Sequence, residues 1–190
     1  MTDRPLPSAR DDLLDRIVAS AAENGLSDVS LRDLGAAVGT SHRMVNYHFG
    51  SRAGLVAAVV GRIEAQQREA LQAIAAEATS PSAIVAAQWE QLSDPAMAPF
   101  VRLFFEVVAA ALFERPGTEG FLDGLTTPWL DVAGEIGERL GAGTDEADLR
   151  LGVAVMRGLL LDAVASGDSA AATASLNRFL RMWDADRQRS

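Results

Sequence analysis

Residues 30–52 read SLRDLGAAVGTSHRMVNYHFGSR, and this stretch determines the fold. Apolar residues recur at intervals of three and four from Leu31 to Val38, which is typical of a short helix with one apolar face. Gly39 then ends this helix, and a second short helix is expected to end by Gly50. Two short helices joined by a turn that contains glycine form the helix-turn-helix pattern.

The same stretch has a different charge balance from the rest of the chain. It contains three arginines and one acid, whereas the whole chain has 17 basic and 26 acidic residues and a formal net charge of −9. Residues 1–55 contain six arginines and seven acids, and residues 56–190 contain eleven arginines and nineteen acids. A local excess of arginine suits a nucleic-acid surface. We therefore expect DNA contact to be confined to one face of the N-terminal part.

Capping signals define the neighbouring helices. Ser8 with Asp11, and Ser30 with Asp33, each place a serine before a helix and an acid three residues later. A long helix is predicted over residues 51–79, and breaker residues after it mark off about five more helices. We find no alternating strand pattern, so the predicted fold is all-α with about nine helices.

The predicted organisation is a head of three helices joined by the long helix to a helical body. The head is assigned to residues 1–55 as a DNA-binding domain, and the body to residues 56–190 as an effector-binding and dimerisation domain. Pro128 leaves two alternatives in the body. Either Thr127 caps a new helix with proline at its first position, or one helix over residues 119–140 is kinked there.

Length and composition exclude several classes of protein. The 190 residues contain no cysteine, and both histidines lie in the helix-turn-helix stretch. We therefore expect no metal site, no cofactor and no enzyme activity. No run approaches the roughly 18 apolar residues of a membrane span, and the first residues lack the apolar core of a signal peptide. A cytoplasmic protein without membrane contact is expected.

The pattern over residues 29–55 resembles the TetR family of transcriptional regulators, without gaps. The residues that carry the resemblance are the turn Leu34-x-x-x-Val38-Gly39, Val45, Tyr47-His48-Phe49 and Ser51-Arg52-x-x-Leu55. Outside this window the resemblance is one of architecture. It implies a homodimer that binds a palindromic operator in double-stranded DNA, acts as a repressor, and is released by a small hydrophobic effector.

The helix that follows the turn is expected to read DNA. Val45 and Phe49 lie four residues apart and face inward, so the other side chains face outward. Free N–H groups at the start of the helix suit a phosphate, and arginine and asparagine suit base edges in the major groove. The residues expected to contact DNA, some of them through the resemblance, are Ser30, Arg32, Thr40, Ser41, His42, Arg43, Met44, Asn46, Tyr47, His48 and Arg52.

Some of these positions have open alternatives. His48 either packs against the helix-turn-helix core or donates to a phosphate. Asn46 stands where the family commonly has tyrosine, so a phosphate contact is lost there or replaced by base readout. Arg43 and Met44 replace small residues typical of the family, and no operator sequence can therefore be inferred.

The body contains the larger apolar side chains. The resemblance implies an effector pocket here, and aromatic and methionine side chains on several helices suit its lining; each is alternatively ordinary core. The residues assigned to the pocket are Trp89, Met97, Phe100, Phe104, Phe105, Phe121, Leu125, Trp129 and Met156.

The last two helices are expected to pair with a second copy as a four-helix bundle, as the resemblance implies. The residues assigned to dimerisation are Leu149, Val153, Leu160, Leu176, Phe179, Leu180 and Trp183. The alternative is that these side chains close the core of the single chain. A dimer also follows from DNA reading, because one short helix contacts few base pairs.

Two other classes of protein fit less well. A helical enzyme would need acid–base groups, and only carboxylates such as Glu135 with Glu138, or the group at residues 145–148, are available. These carboxylates are typical of solvated helix faces. A helical module whose acidic body binds a protein partner is the other alternative.

Overall fold

The computed structural model describes residues 8–24, 30–142 and 145–187. These residues form nine α-helices, and none of them is in a strand, so the predicted all-α class is confirmed. The helices are α1 (Ala9–Asn24), α2 (Leu31–Ala37), α3 (His42–Phe49), α4 (Arg52–Glu77), α5 (Pro81–Leu92), α6 (Ala98–Leu112), α7 (Thr127–Arg139), α8 (Glu146–Ser166) and α9 (Ser169–Arg187). Short 3-10 turns occupy Pro95–Met97 and Leu122–Gly124.

The predicted serine caps are present at the starts of α1 and α2. The hydroxyl of Ser8 accepts the backbone N–H of Asp11 at 3.2 Å, and that of Ser30 accepts the N–H of Asp33 at 3.1 Å. Each serine also donates its hydroxyl hydrogen to the aspartate, at 2.7 and 2.6 Å. The serines therefore satisfy backbone donors that the first helical turn leaves without partners.

Pro128 marks the start of a helix and not a kink. α7 begins at Thr127, and Pro128 lies in its first turn, where its missing N–H breaks no helical hydrogen bond. The cap is at Thr126 and not at Thr127 as expected, and the Thr126 side chain makes no capping hydrogen bond. The alternative of a new helix near Thr127 is therefore the correct one.

Contacts divide the chain into two compact units. The head unit contains Met1–Ala65 and Glu106–Phe121, and the body unit contains Gln66–Phe105 and Leu122–Ser190. The head unit therefore continues beyond the predicted boundary after residue 55. The reason is local packing, since the first turns of α4 supply four side chains to the interior of the head. These buried residues are Leu55, Val56, Val59 and Val60.

The segment after α6 packs tightly within the head unit. Gly117 has φ +91°, a conformation that favours glycine. A Cβ added there would lie 2.6 Å from both the backbone nitrogen of Gly54 and the Oγ of Ser51. Glycine is therefore required where this segment meets the start of α4.

The body unit contains two apolar clusters. The Trp89 cluster joins α5, α6, α8 and α9 and consists of Trp89, Val101, Met156, Leu160, Ala172, Leu176 and Leu180. The indole of Trp89 donates to Oγ1 of Thr173 at 2.8 Å, so its polar atom is satisfied. The Trp129 cluster joins α4, α5 and α7 and consists of Leu71, Ala75, Ile84, Trp129 and Ile136.

One segment corrects the expectation about membrane spans. By length and composition alone, Pro95–Leu112 is apolar enough to cross a membrane. Its single helix, α6, has 15 residues and is about 22 Å long, which is less than the roughly 30 Å of a bilayer core. Arg102 and Glu106 are exposed on it, while Val101 and Val107 are buried. This two-faced pattern is typical of a helix that packs against protein.

Gly54→Ala is expected to destabilise the protein by about 1–3 kcal/mol. A Cβ at this position would lie 2.3 Å from the carbonyl oxygen of Phe49, and a backbone atom cannot move aside as a flexible side chain can. Urea unfolding followed by circular dichroism measures the change.

Gly61→Ala is the matched control on the same helix. An added Cβ at Gly61 meets nothing within 4 Å. This substitution is expected to stabilise the protein by about 0.5–1 kcal/mol, because alanine favours the helix over glycine. Equal effects of the two substitutions would contradict the packing described here.

Candidate nucleic-acid interface

Helix α3, which the sequence predicts to read DNA, is fixed at both ends by local signals. The hydroxyl of Ser41 accepts the backbone N–H of Met44 at 3.2 Å, so Ser41 is the N-cap. Gly39 and Gly50 both have φ +71°, which suits glycine where one helix ends and the next begins. The predicted end of this helix by Gly50 is confirmed.

Gly35 permits α2 and α3 to approach each other closely. A Cβ added there would lie 3.1 Å from the carbonyl oxygen of Thr40 and 3.2 Å from the backbone nitrogen of His42. The backbone N–H of Thr40 donates to the Gly35 carbonyl at 2.8 Å, which closes the turn. The absence of a side chain on α2 therefore sets the distance between the two helices.

The inward face of α3 is the one that the sequence predicts. Val45 is fully buried and Phe49 is 8% exposed. On α2 and its end, Leu34 and Val38 are also buried. The prediction that these four residues form the interior of the helix-turn-helix is confirmed.

The opposite face of α3 is open to solvent. Tyr47 is 78% exposed and Met44 is 42% exposed, which is unusual for large apolar side chains on so short a helix. The other exposed residues of this face are His42, Arg43 and Asn46. The structure therefore brings five predicted contact residues together on one surface.

The remaining residues that are predicted to contact DNA differ in their exposure and in the hydrogen bonds that they already make within the chain. Arg32 and Arg52 are exposed, and Thr40 is partly buried. Ser41 uses its oxygen as an acceptor in the cap, so its hydroxyl hydrogen can still be donated. Ser30 donates its hydrogen to the Asp33 carboxylate at 2.6 Å and is therefore engaged within the chain.

His48 is half-buried between aromatic neighbours. Its ring centre lies 5.1 Å from that of Tyr47, edge to face, and 6.3 Å from that of Phe49. This surrounding favours the packing alternative over a direct phosphate contact.

Arg10 contacts the end of α3, a role that the sequence did not predict. Its guanidinium carbon lies 5.1 Å from the ring centre of Phe49, and its Nε donates to the carbonyl of His48 at 3.4 Å. A cation at the carbonyl end of a helix is favourable, so Arg10 stabilises the last turn of α3. No sequence signal distinguishes it from the other arginines, because the contact joins residues 38 positions apart.

An arginine of α4 braces α1 within the head unit. Nη2 of Arg62 lies 3.1 Å from Asp11 and its Nε lies 3.3 Å from Asp15. The hydrogen bond from the Ser8 hydroxyl holds the pKa of Asp11 below its ordinary value, and the charge of Arg62 acts in the same direction. The brace therefore joins two helices through a carboxylate that stays ionised at neutral pH.

The nine predicted pocket residues do not form one group. Trp89 and Met156 belong to the Trp89 cluster and Phe105 packs against it, whereas Trp129 centres the other cluster. Phe121 lies in the head unit. The remaining residues, which are partly buried in the body unit, are Met97, Phe100, Phe104 and Leu125. Their role in ligand binding stays a prediction.

The predicted dimerisation residues contribute mainly to the interior of the chain. Leu160, Leu176 and Leu180 are buried in the Trp89 cluster. Phe179 and Trp183 pack against the same cluster. Val153 packs against the Trp129 cluster, and Leu149 is partly buried. Most of these side chains therefore contribute to the core of the single chain, and their role in a dimer stays a prediction.

A different stripe of α8 is exposed. Leu151 is 49% exposed and Leu161 is 48% exposed, and on α9 Met182 is 56% exposed. We define the outer stripe of α8 as its exposed residues at alternating intervals of four and three, which are Ala147, Leu151, Ala154, Gly158, Leu161 and Ala165.

Carboxylates of the body unit have structural contacts or lie in solvent. Asp145 accepts the backbone N–H of Ala147 at 2.8 Å and so caps α8, and Glu146 pairs with Arg150 at 2.8 Å. Glu135 and Glu138 are exposed. Within the described ranges, no group of three histidine, aspartate or glutamate residues could hold a metal ion.

Residues 13–59, about a quarter of the chain, match the profile of bacterial regulatory proteins of the tetR family. This N-terminal region is therefore similar to the corresponding region of TetR-family regulators. The profile covers the helix-turn-helix and the first turns of α4, which is the region in which the reading face lies. No curated protein sequence matches the chain.

Solved structures extend the likeness in fold to more than nine-tenths of the chain. A TetR-family transcriptional regulator from Pectobacterium atrosepticum is 22% identical with a TM-score of 0.68, over 92% of this chain and 91% of that one. A TetR transcriptional regulator from Legionella pneumophila is 16% identical with a TM-score of 0.63, over 94% and 98%. The multidrug binding protein EbrR, complexed with imidazole, is 22% identical with a TM-score of 0.57, over 94% and 96%.

Asp11→Asn is expected to reduce stability at neutral pH, because it removes the charge that Arg62 contacts. Because the pKa of Asp11 is lowered in the folded protein, its ionised carboxylate stabilises the fold at pH values above the ordinary pKa of an aspartate. The difference between the wild type and the variant should therefore decline as the pH falls below about 3.9. Urea unfolding at a series of pH values measures this difference.

Asp12→Asn is the control, since Asp12 lies on the same turn of α1 and is exposed. A pH-independent difference for Asp11→Asn, or an equal one for Asp12→Asn, would contradict the assigned brace.

Proposed function

We propose that this protein is a TetR-like DNA-binding repressor that reads a palindromic operator as a homodimer and is released by a small hydrophobic effector. The observation that carries the proposal is the outward face of α3. Its exposed arginine, asparagine, histidine, tyrosine and methionine project from a helix whose other face is buried.

The chemistry of this face suits the major groove. Arg43 can donate two hydrogen bonds to a guanine edge, and Asn46 can pair with an adenine edge. Met44 suits contact with a thymine methyl group. The N–H groups at the start of α3 and the guanidinium of Arg52 suit phosphates, which fix the position of the helix but carry no sequence information.

The acidic remainder supports a confined contact. Residues 56–190 contain eleven arginines and nineteen acids, so the body repels the phosphate backbone. Affinity must then come from two reading helices held at a fixed spacing, and this spacing requires a dimer.

The outer stripe of α8 is the surface that we assign to the dimer. Its spacing of four and three is that of a seam between two helices, and its alanines and glycine let a second helix approach closely. Leu151 and Leu161 supply the apolar area that a partner copy would bury. The dimerisation residues assigned from the sequence stay a separate prediction.

The effector role is supported by the body unit and by one relative. Aromatic and methionine residues lie in and around two apolar clusters, and EbrR, which shares the fold, is described as a multidrug binding protein. The dimer can hold its two heads at a spacing that fits the operator or at one that does not. An effector that binds the second conformation more tightly lowers operator affinity, at most by the ratio of its affinities for the two conformations. We propose no catalytic role and a cytoplasmic location.

Arg43→Ala is expected to weaken binding to the preferred duplex by about 10- to 100-fold, because it removes a base contact worth about 1–3 kcal/mol. The duplex is first selected from a random pool with the purified full-length protein. Fluorescence anisotropy at several salt concentrations then measures the affinity.

Arg52→Ala should weaken binding to all duplexes by a similar factor. It should also reduce the slope of log affinity against log salt concentration by about one, the value for one phosphate contact. Arg102→Ala is the control, since Arg102 is exposed on α6 in the body unit. If no palindromic sequence is enriched, the proposed function is wrong.

Leu151→Glu with Leu161→Glu is expected to convert the dimer into a monomer at micromolar concentration. Four carboxylates would meet at the seam without partners, and burying them there is strongly unfavourable. Analytical ultracentrifugation measures the mass. Leu112→Glu, at a leucine that is 66% exposed on α6, is the control and should remain dimeric. An unchanged mass of the double variant would exclude this stripe as the dimer surface.

A further inference from the structure

An arginine of α1 lies against the last turn of α3. The guanidinium carbon of Arg10 is 5.1 Å from the ring centre of Phe49, and its Nε donates to the carbonyl of His48 at 3.4 Å. Two contacts of different kinds therefore hold one planar group in place. A guanidinium has five N–H donors, and the contact with His48 uses one of them, so the four on the Nη atoms can serve another acceptor.

The positive charge of Arg10 is accessible to solvent. Arg10 is exposed, and in the described part of the chain it forms no ion pair. The neighbouring carboxylate of Asp11 lies 3.1 Å from Arg62 and accepts the hydroxyl of Ser8, so it is engaged elsewhere. Asp12 lies two residues along α1 from Arg10, and residues at that spacing do not face each other on a helix. The guanidinium is therefore available to an anion from outside the chain.

Arg10 stands at a flank of α3, next to the face that we propose to enter the major groove. Successive residues of a helix are separated by about 100°, so His48 lies between the exposed Tyr47 and the buried Phe49. The ring of Tyr47 contacts that of His48 edge to face, at 5.1 Å between ring centres. His48 is half-buried between these rings, so Arg10 is the accessible cation of this flank.

The dimensions of DNA favour a phosphate partner for a group in this position. A helix with its side chains is about 10–12 Å across and the major groove is about 12 Å wide, so the flanks of an inserted helix meet the sugar–phosphate walls. Contacts to these walls fix the position of the helix, whereas the outward face contacts base edges. A guanidinium can bind a phosphate through two parallel hydrogen bonds. Arg10 has both the position and the donors for such a contact.

We propose that Arg10 binds a DNA phosphate, and that α1 thereby adds a contact from outside the helix-turn-helix. The inference rests on the proposed DNA-binding function. The same guanidinium contacts Phe49 and His48, so the phosphate contact and the end of α3 are held in one fixed arrangement.

Arg10→Gln tests the contact through the salt dependence of DNA binding. The slope of log affinity against log salt concentration is expected to fall by about 0.9 for each head that binds, and the affinity at 0.1 M salt by about eightfold for each head. Arg10→Met also removes the charge but can pack on the ring of Phe49, and the same fall in slope is expected. Arg10→Lys keeps the charge and is expected to keep the slope. Fluorescence anisotropy with the full-length protein and the selected duplex measures these quantities.

Arg16→Gln is the matched control. Arg16 is exposed on the same helix, about 9 Å further along, and its substitution changes the net charge by the same amount. This variant is expected to keep the slope of the wild type. An equal fall in slope for Arg16→Gln would show a general effect of charge, and a wild-type slope for Arg10→Gln would show a contact with α3 alone. Either result would overturn the proposal.

A second measurement identifies the phosphate itself. Each phosphate of one half-site is replaced in turn by an uncharged methylphosphonate. At one position the replacement is expected to weaken binding of the wild type by about eightfold, and to leave the affinity of Arg10→Gln unchanged because the charge partner is already absent. Equal losses for the wild type and the variant at every position would contradict the assignment.

The selection of duplexes separates this inference from the proposed function. An enriched palindrome together with a wild-type slope for Arg10→Gln would overturn the inference alone. Binding of random duplexes without an enriched palindrome would overturn the repressor, and a lower slope of Arg10→Gln on those duplexes would still support the phosphate contact. Absence of any DNA binding would overturn both.

Discussion

The burial of Val45 and Phe49 is the constraint on which the head depends. A helix of eight residues is too short to be stable alone, so its stability comes from the apolar face that it packs against α2. Gly35 sets how closely that face can approach. Once this packing is fixed, the direction of every other side chain on α3 follows. The packing of the buried face of α3 therefore determines which side chains lie on the surface that we propose to read DNA.

Features that depend on neighbours in sequence could be predicted. Ser8, Ser30 and Ser41 cap helices through atoms three residues away, and Gly39 and Gly50 end helices by their own backbone conformation. The fold class and the exposed face of α3 follow from such signals. The spacing of four residues between Val45 and Phe49 predicts which side of α3 is buried.

Features that depend on distant contacts could not be predicted. The contact of Arg10 with Phe49 depends on which helices meet, and helical spacing does not specify this. On α8 both the buried stripe with Leu160 and the exposed stripe with Leu161 are apolar. The spacing of apolar residues alone could not predict which of the two stripes is buried in the core of the single chain.

The division of the head between two segments has a consequence for biosynthesis. Residues 106–121 belong to the head unit, and Gly117 packs against Ser51 and Gly54, yet this segment follows residues 66–105 of the body unit. At a synthesis rate of 5–20 residues per second, the last piece of the head leaves the ribosome about 3–11 s after the first. The head unit therefore cannot complete its folding until residues 66–105 of the body unit have been synthesised, and part of its surface stays exposed during that time. Slow codons or chaperone binding in this interval would affect the folding of the head unit through a segment that lies outside the helix-turn-helix.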